Sequence, residues 1–151
     1  MERKRRELAG LLDKLFLQRR TCLHRRALAL DLYAGQPPVL SYIMENPGCT
    51  QNEIADYLSV TPASIAFSTK RMQKGGLIQK QVNANDMRCN KLYLTQKGKE
   101  VMEAFEGEYV KMNEEIFNGF SEAELAQFES YLGRIGKNLD GILTEKGTLS
   151  E

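Results

Sequence analysis

The chain has 151 residues and a formal net charge of +1. This length fits one domain, large enough to bury a core but too small for two separate domains of ordinary size. No apolar run approaches the roughly 20 residues that cross a bilayer, and the basic N-terminus lacks a signal-peptide core. We therefore expect a cytoplasmic protein without membrane association. Three cysteines, odd in number and far apart, favour reduced thiols over a disulfide framework.

Residues 2–34 are predicted to form one long amphipathic helix, because they contain no proline or strong breaker. Its apolar positions recur at spacings of three and four residues. They are Leu12, Phe16, Leu23, Ala27 and Leu30. Its polar side is basic, which leaves three interpretations: phosphate contact, pairing with acidic C-terminal helices, or simple solvation. We favour pairing, because the net charge of +5 in residues 1–35 nearly matches −7 in residues 99–151.

A support helix is predicted after the break at residues 35–38, and residues 46–48 end it. Its apolar residues are expected to be core, namely Val39, Leu40, Ile43 and Met44. The next helix begins at Thr50, where Glu53 three residues later completes a capping box. The expected buried face of that helix is Ile54, Ala55 and Leu58.

A further helix is predicted over residues 61–74, with Thr61 as its cap and Pro62 at its first position. Two short helices joined by such a turn are typical of a helix-turn-helix. Helical spacing of about 100° per residue puts Ile65 and Met72 on a packing face. The opposite face carries Ala63, Phe67, Lys70 and Lys74, and Ser64 and Arg71 flank it. Small, aromatic and cationic groups on this outward face suit a major groove.

Two strand-like runs at 77–82 and 89–94 follow the pair Gly75-Gly76, and a polar tip over 83–88 separates them. This pattern predicts a β-hairpin, or wing. In the tip, the Asp86 carboxylate lies two residues from Arg88 and can hold its guanidinium in one orientation. A fixed arginine on a narrow projection suits the minor groove, where the negative potential is greatest.

Several motifs between Thr50 and Gly98 resemble those of the MarR family of winged helix-turn-helix transcriptional regulators. They are Thr50-Gln51-Asn52-Glu53-Ile54-Ala55, Thr61-Pro62-Ala63-Ser64-Ile65, Gly76-Leu77-Ile78, Asp86-x-Arg88 and Leu92-Tyr93-Leu94-Thr95-Gln96-Lys97-Gly98. The resemblance implies a homodimer whose helix 61–74 enters the major groove, with Arg88 in the adjacent minor groove and Asp86 bracing it. Family members often carry arginine at the position of Phe67, where this chain offers an aromatic contact for a thymine methyl group.

The charge distribution supports a DNA-contacting region. Residues 61–91 hold six cations and one anion, whereas residues 99–151 hold five cations and twelve anions. This polarity focuses positive potential on the helix-turn-helix and wing. The predicted DNA-binding residues are Thr50, Gln51, Thr61, Ala63, Ser64, Phe67, Lys70, Arg71, Lys74, Asp86, Arg88 and Lys91.

Two C-terminal helices are predicted after the wing. The first is capped by Thr95, and its apolar stripe consists of Val101, Phe105, Met112 and Ile116. The second begins with a capping box between Ser121 and Glu124, and its apolar positions alternate at spacings of three and four. They are Leu125, Phe128, Leu132, Ile135, Leu139 and Ile142. This heptad pattern favours helix packing along its length, and we interpret it as a dimer seam.

Catalytic and metal chemistry find little support in the sequence. His24 is the only histidine, and we expect it to be partly exposed. Cys22 has arginines on both sides that can lower its pKa, so it is a candidate redox site; burial as a small apolar residue is the favoured alternative. We find no phosphate-binding glycine loop, paired metal ligands or nucleophile elbow, and so expect no enzyme and no cofactor.

The predicted fold class is mainly α with a small β-hairpin wing. One domain spans residues 1–151, with a winged-helix DNA-binding region at 36–98 flanked by dimerisation helices at 1–34 and 99–146. We expect a homodimeric repressor of a palindromic double-stranded DNA operator, released by a small-molecule or oxidative effector. The alternative is a winged-helix protein-interaction module in which Phe67 and Met72 form an apolar docking surface.

Overall fold

A computed structural model describes residues 1–83 and 86–146 of the chain, without the side chains at 82–89 and 145–146. Six helices and one hairpin within these ranges confirm the predicted mainly α fold class with a β-hairpin wing. The elements are α1 (Glu2–Ala29), α2 (Gln36–Glu45), α3 (Gln51–Leu58), α4 (Pro62–Lys74), β1 (Ile78–Asn83), β2 (Asp86–Leu94), α5 (Gln96–Ile116) and α6 (Glu122–Lys146). None of the described helices is long and apolar enough to span a membrane. The chain divides into two compact units, Met1–Met112 and Asn113–Glu151.

The first helix, α1, ends at Ala29, so the prediction that it continues to residue 34 was wrong. The N–H of Leu32 donates to the carbonyl of Ala27 at 2.9 Å, and Asp31 takes a left-handed φ of 57°. This is a Schellman-type end. It needs no glycine or proline here, because the complete burial of Leu32 favours turning the chain inward.

The helix-turn-helix consists of α3 and α4, and both helices begin at the predicted caps. The Thr50 hydroxyl accepts from the Glu53 N–H at 3.3 Å, and the Glu53 carboxylate accepts from the Thr50 N–H at 2.6 Å. This confirms the capping box. Thr61 caps α4 by accepting from the Ser64 N–H at 3.3 Å, with Pro62 as its first residue. The two helix starts were therefore readable from local sequence.

Helices α1 to α5 and both strands share the hydrophobic core of the first unit. Its fully buried large side chains are Leu32, Val39, Leu40, Ile43, Ile54, Thr69, Met72, Ile78 and Leu92. The prediction of core positions was wrong at Met44, which is 43% exposed, because helical spacing turns it about 90° away from the buried face formed by Val39, Leu40 and Ile43. Phe16, on the predicted apolar stripe of α1, is 64% exposed within the chain. Apolar spacing alone thus identified a face and not what covers it.

The wing is an antiparallel hairpin in which Ile78 pairs with Leu94 and Val82 with Asn90. Its base is fastened to the segment before α3, because the Leu92 N–H donates to the Cys49 carbonyl at 2.9 Å. The predicted bounds of the tip were too wide, since β2 already begins at Asp86. A register shift after Val82 lets the ladder continue there, and alternating hydrophobicity does not reveal such a shift.

Helix α1 is joined to α5 by charged and polar side chains. Arg26 forms an ion pair with Glu108 at 3.0 Å, and the Arg19 guanidinium donates to the Tyr109 hydroxyl at 2.8 Å. A hydrogen bond from Lys111, with further contributions from both cations, lowers the pKa of Glu108. The favoured prediction, that the basic N-terminal helix pairs with acidic C-terminal sequence, is confirmed at Arg26.

The N-terminus of α5 has the predicted cap, because the Gly98 N–H donates to the Thr95 hydroxyl at 3.0 Å. Within the predicted stripe of α5, Phe105 and Met112 are buried, whereas Ile116 is 42% exposed. The stripe therefore belongs to the core of the first unit only in part.

In the second unit, α6 starts at the predicted capping box, where the Glu124 carboxylate accepts from the Ser121 N–H at 2.9 Å. The aromatic rings of Phe117 and Phe128 pack with centroids 6.3 Å apart. Five of the six seam residues are between 39% and 52% exposed, namely Phe128, Leu132, Ile135, Leu139 and Ile142. This row of exposed apolar side chains is the main feature of the unit.

Candidate DNA-binding surface

The outward face of α4 has the composition that its spacing predicted. Ile65, Thr69 and Met72 are buried on the inner side. The outer side exposes Ala63, Phe67, Lys70 and Lys74. Phe67 is 67% exposed, so an apolar ring projects from the helix surface about one turn before Lys70. Such a face can meet phosphates through its ammonium groups and a base edge through its ring.

The first turn of α4 presents small polar groups at the same surface. Thr61 and Ser64 are both exposed, although the Thr61 hydroxyl already accepts from the Ser64 N–H as the helix cap. A helix N-terminus carries unpaired N–H groups and partial positive charge, which favours an approaching phosphate.

Two predicted DNA-binding residues at the start of α3, the cap Thr50 and the first helical residue Gln51, have structural partners. The Thr50 hydroxyl donates to the Glu53 carboxylate at 2.9 Å, and the half-buried Gln51 amide donates to the Thr69 hydroxyl at 2.5 Å. The Thr69 hydroxyl in turn donates to the Ile65 carbonyl at 2.8 Å. These contacts fix α4 against α3, and any contact of Thr50 and Gln51 with DNA stays a prediction.

Arg71 lies on the flank of α4 with its guanidinium carbon 4.5 Å from the centre of the Tyr33 ring. Sequence reasoning missed Tyr33, because the contact joins residues far apart in the chain and depends on how α2 and α4 are placed. It also missed Thr69, which is fully buried although a hydroxyl is an uncommon core group.

The C-terminal end of α4 is held by the start of α5. Lys97 donates to the Gly75 carbonyl at 2.9 Å, and the Thr95 hydroxyl donates to the Gly76 carbonyl at 2.6 Å. Both carbonyls would otherwise lack partners at a helix end. Gly98 lies so close to the Leu77 carbonyl that a Cβ atom there would collide with it. Helix α4 is thus supported by α3, by α5 and by Tyr33 in the segment before α2.

The wing contributes Lys91, whose side chain is exposed on β2. Asp86 and Arg88 also belong to β2, but their side chains lie outside the described part of the structure. The predicted bracing of Arg88 by Asp86 therefore stays a prediction.

The cysteines and the histidine differ in their surroundings. Cys22 is exposed, so the favoured prediction of a buried core residue was wrong; on α1 it faces away from the core. His24 is exposed as expected. Cys49 is buried, and that burial raises the pKa of its thiol to about 11, which keeps it protonated. Among the described residues, no three His, Cys, Asp or Glu side chains are grouped to hold a metal ion. The side chain of Cys89 is not described.

The surface and its fold can be compared with known proteins. A sequence profile of the MarR family matches residues 30–88. The HTH-type transcriptional regulator YybA of Bacillus subtilis (strain 168) is 32% identical over 111 residues, which are 74% of this chain and 74% of YybA. The chain belongs to the MarR family. This MarR chain is therefore a transcriptional regulator, and its matched region contains the entire helix-turn-helix.

Solved structures agree with the MarR assignment. The crystal structure of the transcriptional regulator SlyA is 30% identical with a TM-score of 0.68, covering 85% of this chain and 93% of that one. A point mutant of S. aureus MepR bound to an oligodeoxyribonucleotide is 25% identical with a TM-score of 0.66, covering 87% of this chain and 97% of that one. The mainly α fold with a hairpin wing is thus the fold of known MarR regulators.

Proposed function

We propose that this MarR regulator is a homodimeric, sequence-specific repressor of a palindromic double-stranded DNA operator. The observation that carries the proposal is the outward face of α4, where the exposed Phe67 ring is followed by Lys70 and Lys74 on the same face of the helix. Contacts from α3, from α5 and from Tyr33 hold this helix in place. A rigid helix with cations for phosphates and a ring for a base edge can discriminate between sequences.

The charge distribution supports nucleic acid as the partner. Residues 61–91 have a net charge of +5, against −7 in residues 99–151. Positive charge concentrated around α4 and the wing attracts DNA and orients its approach. Some relatives have been solved with DNA, as in MepR bound to an oligodeoxyribonucleotide.

We assign the DNA contacts to three parts of the winged helix. Helix α4 enters the major groove, the start of α3 lies near the backbone, and Arg88 reaches the adjacent minor groove with Asp86 bracing it. Lys91 contacts the backbone beside the wing. The assigned residues are Thr50, Gln51, Thr61, Ala63, Ser64, Phe67, Lys70, Arg71, Lys74, Asp86, Arg88 and Lys91.

The exposed apolar side chains support a homodimer built from residues 1–34 and 99–146. The seam of α6 leaves Leu139 and Ile142 each 52% exposed, and an open apolar groove of about 680 Å³ lies between Phe117, Leu125 and Leu132. A second copy of the chain would cover them. Twofold symmetry then places two recognition helices about 34–36 Å apart, the spacing of successive major grooves.

We further propose that an effector releases the repressor from its operator. A small molecule that changes the separation of the two recognition helices lowers affinity, because both half-sites no longer fit together. An oxidant acting on the exposed Cys22 is the second candidate. A screen of aromatic acids and metabolites should find a compound that raises the melting temperature and releases DNA. If oxidation is the signal, hydroperoxide releases the parent but not Cys22→Ser.

The deciding experiment is fluorescence anisotropy with a duplex from upstream of the gene for this chain, against a scrambled duplex, at several salt concentrations. Arg88→Ala is the test variant. Lys137→Ala is its matched control, because it removes one exposed cation from α6 away from the seam. We expect tight binding to the upstream duplex only, with a steep salt slope that Arg88→Ala reduces by about one.

Equal, weak binding to both duplexes would overturn the repressor proposal. The protein-interaction module would then be the better explanation, and its signature differs. In that case Phe67→Ala abolishes capture of a protein partner, whereas Arg88→Ala and Lys70→Ala change no function.

A further inference from the structure

The contact between Tyr33 and Arg71 joins the segment after α1 to the recognition helix. The guanidinium carbon lies 4.5 Å from the ring centre, within the range of a cation–π contact. Tyr33 is half exposed, and Arg71 is exposed on the flank of α4. One side of the guanidinium is therefore covered by the ring, while its charge remains available at the DNA-facing surface.

The backbone of Tyr33 is held by hydrogen bonds at both its N–H and its carbonyl. Its N–H donates to the Gln36 side-chain carbonyl at 2.8 Å, and its carbonyl accepts from the Gln36 N–H at 3.0 Å. Gln36 is only 5% exposed, and the preceding Leu32 is fully buried. Gly35 makes the tight connection possible with a φ of 81°, which disfavours other residues. Tyr33 is thus an anchored platform in a short connection.

An anchored aromatic ring reduces the side-chain entropy that an exposed arginine loses when it binds DNA. Arginine has many rotamers, and holding them in one orientation opposes a phosphate contact. Stacking on a ring restricts those rotamers before DNA arrives, so less freedom is lost in the complex. The nearby Lys70 and Lys74 have no such platform among the described contacts.

We propose that Tyr33 is a positioning residue of the DNA-binding surface, which holds Arg71 ready to meet a phosphate of the operator backbone. The proposal rests on the proposed function of α4 in DNA binding and adds a residue outside the predicted contact set. Tyr33 itself need not touch DNA. Its effect passes through the guanidinium, so it should vanish when Arg71 is absent.

The test is a double-mutant cycle in the full-length protein, read by anisotropy on the specific duplex. Tyr33→Leu removes the ring but keeps an apolar side chain, and Tyr33→Phe is the matched control that keeps the ring. Arg71→Gln removes the charge. We expect Tyr33→Leu to weaken binding about 2- to 5-fold with an unchanged salt slope, as for an exposed cation–π contact, and Tyr33→Phe to bind like the parent.

The cycle separates positioning from a structural role. Arg71→Gln should lower the salt slope by about one, and adding Tyr33→Leu to it should cause no further loss. If Tyr33→Leu weakens binding equally in both backgrounds, or not at all, the proposal is overturned. Equal thermal unfolding of Tyr33→Leu and Tyr33→Phe would show that fold loss is not the cause.

An NMR measurement on the free protein tests the contact between Tyr33 and Arg71 without relying on DNA binding. The Arg71 Nε–H resonance should show a ring-current shift in the parent and in Tyr33→Phe that is absent in Tyr33→Leu. Failure of the parent to prefer its duplex would overturn the repressor proposal and this one together. A normal parent without the ring-current shift would overturn only the role of Tyr33.

Discussion

The Gln51 side-chain amide donates a 2.5 Å hydrogen bond to the hydroxyl of Thr69, which is completely buried in α4. This bond crosses the helix-turn-helix and fixes the rotation of α4 against α3. The Thr69 hydroxyl also donates to the Ile65 carbonyl one turn earlier, so a polar group in the core has both its donor and its acceptor in use.

The Gln51–Thr69 bond predicts an asymmetric response to mutation. Thr69→Val leaves the half-buried amide without its partner and should lower the free energy of unfolding by about 1–2 kcal/mol. The double variant Gln51→Leu with Thr69→Val should recover part of that loss, because no polar group is left unpaired. Urea denaturation measures both values. A Thr69→Val protein as stable as the parent would contradict the assigned role.

The capping box at α3 predicts a dependence of stability on pH. Hydrogen bonds from the Thr50 backbone and hydroxyl lower the pKa of Glu53 from its ordinary 4.5. The carboxylate therefore adds stability above pH 4.5, and that contribution is lost as the pH falls through the lower pKa of the folded state. Glu53→Gln should lose less stability between pH 7 and pH 3 than the parent.

The companion variant is Thr50→Ala, which removes the other side chain of the same capping box. It should lower the free energy of unfolding by about 1 kcal/mol at neutral pH. Glu124, the corresponding residue at α6, also has a lowered pKa because of hydrogen bonds from Ser121. It is unchanged in both variants, so its own contribution to the acid profile stays the same. Identical acid profiles for Glu53→Gln and the parent would contradict the prediction.

Phe67 and Lys70 should differ in how they affect DNA binding. Phe67→Ala should weaken binding to the operator by about 1 kcal/mol while sparing a scrambled duplex, because a ring contacts bases. Lys70→Ala should weaken binding to both duplexes and lower the salt slope by about one. Anisotropy titrations compare the two variants. Reversed behaviour would place Lys70 rather than Phe67 at the base edges.

A charge placed on the α6 seam should separate the proposed dimer. Leu132 is 42% exposed within the chain, and Leu132→Glu would put a carboxylate at the interface with the second copy. We expect monomers by analytical ultracentrifugation and a loss of operator affinity of about a hundredfold, since paired half-sites no longer act together. Ser130→Glu, on the opposite side of α6, should stay dimeric. A dimeric Leu132→Glu protein would locate the interface elsewhere.

Local signals predicted helix starts better than they predicted contacts. The capping boxes at Thr50 and Ser121 involve residues three apart, so sequence alone identified them. The end of α1 depended on the burial of Leu32, which is decided by distant packing. Periodicity placed Phe16 and Ile116 on apolar faces, but it does not distinguish a core within one chain from an exposed stripe.

The candidate surface shows the same division. The outward face of α4 follows from helical spacing, so Phe67 and Lys70 were predictable. The partners of Thr69 and Arg71 were not, because each lies on another element and depends on how the helices are placed. A side chain can therefore be assigned to a face from sequence, whereas its partners need the structure.

The close approach of Gly98 to the Leu77 carbonyl has a consequence for engineering. The two residues bracket the wing, so its strands leave and rejoin the body at one backbone junction with no side chain between. A designer can treat the hairpin as an exchangeable cassette and transplant wings from related proteins. The graft must keep Gly98 and the buried strand residues Ile78 and Leu92, which belong to the core. A library that randomises position 98 should return glycine alone.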